Sequence, residues 1–357
     1  MTSILVTGGA GYIGSHTCKA LRRAGFDPIT YDNLTRGNPE SVKWGALEVG
    51  ELTDQIKLRE TLARYRPAAV VHFAALTDVG ESNLNPALYY QNNVGGTAVL
   101  LAAMRECGVG KIIFSSSCAV YGVPAVVPTS EDTPYAPINP YGATKMICER
   151  MLAECALAFP LSFIALRYFN AAGADPEGKI GPCQIPATHA IQLLLEAAAG
   201  ESSGFTIYGD DYQTADGTGV RDYIHVTDLA DAHVKALSAL LAGTENTVLN
   251  LGTGRGWSVR ELVAAVREVT GCDFPVQVGA RRPGDPPALI ADASRAHHQL
   301  DWRPRYSDLI TQVTHAWAWR QGDRRTWKRM QIQSVPYPAV PANGRAAMAH
   351  RTNKTDQ

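Results

Sequence analysis

Residues 3–14 read SILVTGGAGYIG, an apolar run ending directly in a turn with glycines at Gly8, Gly11 and Gly14. The run predicts a strand buried on both faces, and the turn opens a helix. The spacing is GxxGxxG. Glycines there allow a tight turn and let a pyrophosphate approach the helix N-terminus, where free N–H groups and the helix dipole favour an anion. Tyr12 and Ile13 stand between the last two glycines, at the start of that helix.

Outward from this turn the pattern repeats. Residues 28–31, 69–73, 111–116 and 161–168 are near-continuous apolar runs, as two-sided burial requires. Helical stretches at 12–24, 54–65, 87–107 and 141–158 separate them. This βαβ alternation predicts an α/β fold, a doubly wound parallel sheet of Rossmann type. After residue 170 the rhythm changes to Gly- and Pro-rich loops, a helix over 187–199 and a loop rich in Gly and Asp. The organisation expected is a dinucleotide-binding domain over 1–170, to which a helix and strand in 226–252 return. A smaller α/β substrate domain covers 171–327. Residues 328–357 are polar and aperiodic, and are expected to be a disordered tail.

Composition narrows the function classes. The chain has 357 residues, 45% hydrophobic content and a formal net charge of −1. A large core is affordable, and no nucleic-acid surface is indicated. No basic-then-apolar leader and no bilayer-length apolar run is present, so no membrane association is expected. The seven cysteines include no CxxC pair, which argues against a disulfide framework or a metal site and fits the cytoplasm.

Several strand ends carry candidate chemistry. Asp32, in YDNL, lies 18 positions after Gly14. A carboxylate there accepts hydrogen bonds from both adenosine ribose hydroxyls and repels a 2′-phosphate, which favours NAD over NADP. Arg36 is the complication, since an arginine accommodates such a phosphate, and Asp32 with Asn33 would also shape a turn. Glu51 and Leu52 stand where an adenine would be flanked. In HFAAL (72–76), Ala74 and Ala75 allow close backbone approach or serve ordinary packing. In NPYGATK (139–145), Tyr141 and Lys145 share a helix face. An ammonium beside a phenol favours the phenolate, so the pKa of Tyr141 is expected to fall, giving a base near neutral pH. SSSCAVYG (115–122) supplies Ser117, able to orient a substrate oxygen toward Tyr141.

Taken together, TGGAGYIG, DNL, HFAAL, VGES, SSSCAVYG, Tyr141-x-x-x-Lys145 and RYFN resemble the extended short-chain dehydrogenase/reductase family. GVRDYIHVTDLADAH (219–233) and RRPGDPPALIADASRA (281–296) resemble, within it, the NAD-dependent epimerases of UDP-hexoses. The likeness runs over residues 3–320. It implies interconversion of UDP-galactose and UDP-glucose through transient oxidation at sugar carbon 4, with an NAD that is held and not consumed. It makes Ser117, Tyr141 and Lys145 the catalytic group. It adds Thr35, Phe73, Thr77, Asn92 and Phe169 to the cofactor contacts. Arg221 and Arg282 fall at diphosphate positions, Asp285 at the uridine ribose, and Thr206 to Tyr208 at the uracil. Asn170 falls at the pyrophosphate or sugar. His189 and Ala190 occupy the place of an Asn-Leu substrate pair, and Thr77 that of a frequent lysine. Leu289 stands at a sugar-pocket position that varies between tyrosine and a small residue, which leaves N-acetylated sugars open. Other UDP sugars, such as uronates, and a non-catalytic NAD-binding regulator are the alternatives. A 4,6-dehydratase needs an acidic pair where this chain has Cys118 and Ala119. The family's habit of pairing through two helices, here 87–107 and 141–158, implies a homodimer.

Overall fold

The computed structural model describes residues 1–184, 186–282 and 285–322. The tail expected at 328–357 lies outside them. Seven parallel strands form the central sheet: β1 (Thr2–Thr7), β2 (Phe26–Asp32), β3 (Ala46–Val49), β4 (Ala69–His72), β5 (Lys111–Ser117), β6 (Ser162–Tyr168) and the edge strand Thr247–Leu251. Their spatial order is β3-β2-β1-β4-β5-β6 and then the edge strand. The order reverses between β1 and β4, and such reversals open a ligand crevice at the carboxyl ends of the strands.

The continuous apolar runs follow from what each strand face touches. Ile4 and Val6 point to a core shared with helices Tyr12–Arg23 and Val226–Leu241. Leu5, one residue out of phase, points to the opposite core under helices Gln55–Tyr65, Gly96–Glu106 and Pro140–Ala158. β5 divides the same way, Ile113 to one face and Ile112 with Phe114 to the other. A third core joins helices Ala190–Ala198, Val259–Thr270 and Leu309–Gly322.

Two elements depart from the sequence reading. β3 has no apolar run; as an edge strand it needs little two-sided burial, and its buried Glu48 is paired with Lys57 and Arg64. The helix expected over 87–107 is broken into Pro86–Tyr89, a π-turn at Tyr90–Gly95 and Gly96–Glu106. The π-turn accompanies an inward Asn93, whose amide bonds both Leu76 backbone groups at 2.8 and 3.0 Å and Thr144 Oγ1 at 3.1 Å. No helix among the described residues is long and apolar enough to cross a membrane, and they contain no metal-binding cluster.

A buried ion pair ties β6 to the helix Pro140–Ala158. Arg167 donates to Glu149 from Nε at 3.0 Å and from Nη2 at 2.6 Å, with both side chains less than 5% exposed. Tyr135 and Ser116 also donate to Glu149, while Arg167 reaches the Tyr121 hydroxyl at 2.9 Å. Removing one partner leaves the other charge buried and unpaired. Arg167→Met should therefore lower stability by about 3–5 kcal/mol in urea unfolding. A loss within experimental error of zero would show that the pair is replaceable by packing.

Candidate active site

The glycine turn joins β1 to the helix Tyr12–Arg23. A Cβ on Gly8, which has φ +71°, would lie 2.6 Å from the Ala74 amide nitrogen. One on Gly14 would lie 2.2 Å from the Gly8 carbonyl oxygen. Side chains are thus excluded where strand, turn and helix meet. Gly11 caps the helix without a side-chain bond, and no acidic residue stands in its first turn. The first N–H groups therefore face the cleft with an unneutralised dipole, which suits a diphosphate.

The cleft runs over the strand ends. Gly8, Gly11, Tyr12, Ile13 and Gly14 form its floor at β1. Asp32, Asn33 and Thr35 follow β2, with Glu51 and Leu52 after β3. Phe73, Ala74, Ala75 and Thr77 follow β4, and Asn92 comes from the π-turn. Asp32 is held by N–H donors from Ala10 at 3.0 Å and Leu34 at 2.9 Å. Burial raises its carboxyl above the usual value, and these bonds oppose the rise. Arg36 also lines the cleft, but its guanidinium bonds both Glu81 oxygens, at 3.0 and 3.1 Å. A carboxylate at β2 beside an arginine already engaged by Glu81 fits a free 2′-hydroxyl. The glycine cradle, the uncapped helix and Asp32 together fit NAD.

Ser117 ends β5 opposite Tyr168 in parallel register. Tyr141 and Lys145 enter from the first turns of Pro140–Ala158, a helix capped by Asn139, whose side chain accepts from Gly142 N at 2.8 Å. Gly142 admits the close approach: a Cβ there would lie 2.4 Å from the Ala119 carbonyl. The Ser117 hydroxyl, which accepts from Ala119 N at 3.2 Å, lies near enough to the Tyr141 phenol to lower its pKa. Lys145 Nζ donates to the Ser115 carbonyl at 2.7 Å and lies 5.9 Å from the Tyr141 ring centroid. Ser115 and Tyr168 line the cleft, so the pair stands at its end.

The lowered phenol pKa expected from the sequence is not what the protein alone displays. Burial pushes Tyr141 up, Tyr168 adds to the rise, and the Ser117 hydroxyl opposes it. Burial also pulls Lys145 down to about 8. Residue spacing describes the pairing of lysine and phenol but not the desolvation of both, and desolvation is the larger effect here.

The remaining candidates spread along the second half of the chain. Asn170 lies in the strand Asn170–Ala172, paired with Tyr223–His225. Arg221 is ion-paired with Asp285, and the Arg282 guanidinium lies 3.9 Å over the Tyr208 ring. Thr206 and Tyr208 are in Phe205–Tyr208. Phe169 and Leu289 pack with Cys118 and Tyr121 behind Ser117. His189 lines the cofactor cleft, just before Ala190 opens its helix. Sequence reading missed Cys183 and Gln184 in the cleft, contributed by an irregular segment without motif. It missed Gly142 too, though a glycine in a helical first turn, at about 1 kcal/mol against alanine, is itself a signal of close approach.

The model of the NAD dependent epimerase/dehydratase family matches residues 4–252, and the chain belongs to that family. The particular relatives it is similar to are UDP-glucose 4-epimerases. That of Rhizobium meliloti (strain 1021) is 52% identical over 317 residues, covering 89% of this chain and 96% of the relative. The UDP-glucose 4-epimerase of Brucella ovis in complex with NAD superposes with a TM-score of 0.87 at 51% identity, over 89% of this chain and 98% of that one. The Bifidobacterium longum enzyme in complex with NAD+ and UDP gives 0.86 at 38% identity, over 90% and 99%.

Gly142→Ala should drive the helix from the Ala119 carbonyl and misplace Tyr141. The expected result is a fall in kcat of roughly tenfold or more, with bound NAD retained. A variant with unchanged kcat would show that the helix has room to spare.

Proposed function

We propose that this chain is a UDP-glucose 4-epimerase, interconverting UDP-galactose and UDP-glucose with a bound NAD. The observation that carries the reading is the meeting of Ser117 and Tyr141 at the end of the cleft, where Ser117 lowers the pKa of the phenol and Lys145 lies against the same ring. When bound, NAD would supply reversible hydride acceptance at sugar carbon 4 and a positive charge that favours the phenolate.

Tyr141 takes the proton from the sugar 4-hydroxyl and later returns it. Ser117 holds that oxygen in line with the phenol. Lys145, charged below about pH 8, faces the phenolate as it forms. Inversion requires the 4-keto sugar to turn so that the hydride returns to its other face, while the UDP stays held and Tyr141 gives the proton back to the oxygen. Arg221, Arg282 and Asn170 are the groups we assign to the diphosphate, Asp285 to the uridine ribose, and Thr206 to Tyr208 to the uracil. His189 and Ala190 are assigned to the substrate as well. The third core serves the UDP sugar, and the sheet with helix Val226–Leu241 serves the cofactor. Ala119, two residues after Ser117 in the turn, has no proton to transfer, and burial raises the pKa of the Cys118 thiol between them, so the place lacks the acidic pair that elimination of water needs.

We further propose a homodimer in the cytoplasm. Leu84, Leu88 and Tyr90 are exposed beside the helix Pro140–Ala158, and Leu157 on that helix is 91% exposed. An apolar face of this kind suits helix-to-helix pairing of two copies. All seven cysteines are free, as a reducing compartment allows.

Purified protein incubated with UDP-galactose and no added NAD should form UDP-glucose; absence of product would overturn the reading. Tyr141→Phe should lower kcat by roughly a hundredfold or more while keeping the cofactor, and an intact rate would remove Tyr141 from the mechanism. Leu289→Tyr should reduce any activity on UDP-N-acetylhexosamines relative to UDP-galactose, and an unchanged ratio would clear Leu289 as the gate. Light scattering should give the mass of two chains; a single-chain mass would refute the dimer.

A further inference from the structure

Asp222 follows Arg221 in the chain and is fully buried. Among the described residues no cation hydrogen-bonds its carboxylate, which is held by N–H and O–H donors from two different segments. Oδ1 accepts from Thr253 N at 2.9 Å and Thr253 Oγ1 at 2.7 Å. Oδ2 accepts from Gly254 N at 3.0 Å and Ala291 N at 3.2 Å. Its backbone works in the same knot: Asp222 N donates to the Leu289 carbonyl at 3.0 Å, and its carbonyl accepts from Asn170 N at 3.0 Å. Gly252 leaves room for the carboxylate, since a Cβ there would lie 2.5 Å from Asp222 Oδ2.

These segments have different origins. Gly252 to Gly254 continue the edge strand of the central sheet, and Asn170 continues β6. Arg221 lies in a small sheet between Trp257–Ser258 and Ala288–Leu289, in register with Leu289. The carboxylate therefore pins both neighbours of the Arg221 strand and binds them to the end of the main sheet. Arg221 and Asp222 also lie close enough to Cys118, the neighbour of Ser117, to act on its thiol.

We infer that Asp222 is a positioning residue for the substrate: it sets Arg221, Asn170 and Leu289 at a fixed distance from Ser117 and Tyr141. The inference rests on the reading of Arg221 and Asn170 as UDP-sugar groups. Asp222 touches no reacting atom. Its role is to hold the diphosphate-binding arginine in register, so its loss weakens substrate binding and leaves proton transfer at Tyr141 in place. An aspartate suits the position because a carboxylate accepts from all four donors at once. An asparagine amide turns one set of acceptor lone pairs into donors facing N–H groups.

The test uses the full chain with its bound NAD, in wild-type, Asp222→Asn and Thr253→Val forms. Rates against UDP-galactose concentration and calorimetry with UDP are measured, with bound NAD as the control. For Asp222→Asn, KM and the UDP Kd should rise together by roughly ten- to a hundredfold, with kcat within about threefold and NAD unchanged. Thr253→Val, which removes one of the bonds, should move the same quantities by a smaller factor. A fall in kcat at unchanged KM, or loss of NAD alongside normal UDP binding, overturns the inference. If Asp222→Asn does not fold, Thr253→Val decides: unchanged KM and UDP Kd overturn it. Wild-type protein that binds UDP but does not turn over UDP-galactose overturns the proposed reaction instead, and the UDP arm still judges Asp222.

Discussion

The Arg167–Glu149 pair is the interaction on which the catalytic end of the cleft depends. Arg167 is in β6, Glu149 on the helix that carries Tyr141 and Lys145, and Ser116 on β5 donates to the same carboxylate. Ser116 and Ser117 point to opposite faces of the sheet, as successive strand residues must. The network thus clamps the helix, and with it Tyr141 and Lys145, to β5 and β6. Tyr121 extends it to Asn250 on the edge strand with a 2.7 Å bond. Two charges in such a place add little net stability over well-packed apolar groups. Their directional bonds instead fix one relative placement of three strands and a helix.

The cofactor half is built on a different constraint, the exclusion of side chains. Gly8 and Gly14 sit where backbone meets backbone, so strand, turn and helix form one rigid surface for a diphosphate. Gly142 repeats the device at the catalytic turn.

Much of this was legible along the chain because it is written in local rules. Alternation of apolar runs and amphipathic helices gave the sheet, and the spacing from Gly14 to Asp32 gave two strand ends that line one cleft. What escaped was structure whose cause lies far away in sequence. β3 is a strand because β2 pairs with it at Ile29 to Asp32, although its own residues carry no strand signal. Asn93 faces inward because a π-turn rotates it there. The phenol of Tyr141 is raised because it is buried on all sides, while the lysine one helical turn away donates to the Ser115 carbonyl.

The sequence by itself determined the doubly wound fold, the close glycine turn and the placing of Tyr141 and Lys145 on one helix face, because these follow from periodicity, backbone freedom and short spacings. Only the tertiary structure decided how the second half of the chain meets the first. Asp222 gathers Thr253, Gly254 and Ala291 around its buried carboxylate, and its backbone carbonyl takes Asn170, which lies 121 positions from Ala291. No local preference encodes such a meeting. It arises because a carboxylate taken out of water must be satisfied by donors, and folding brought those donors from segments that are remote in the chain.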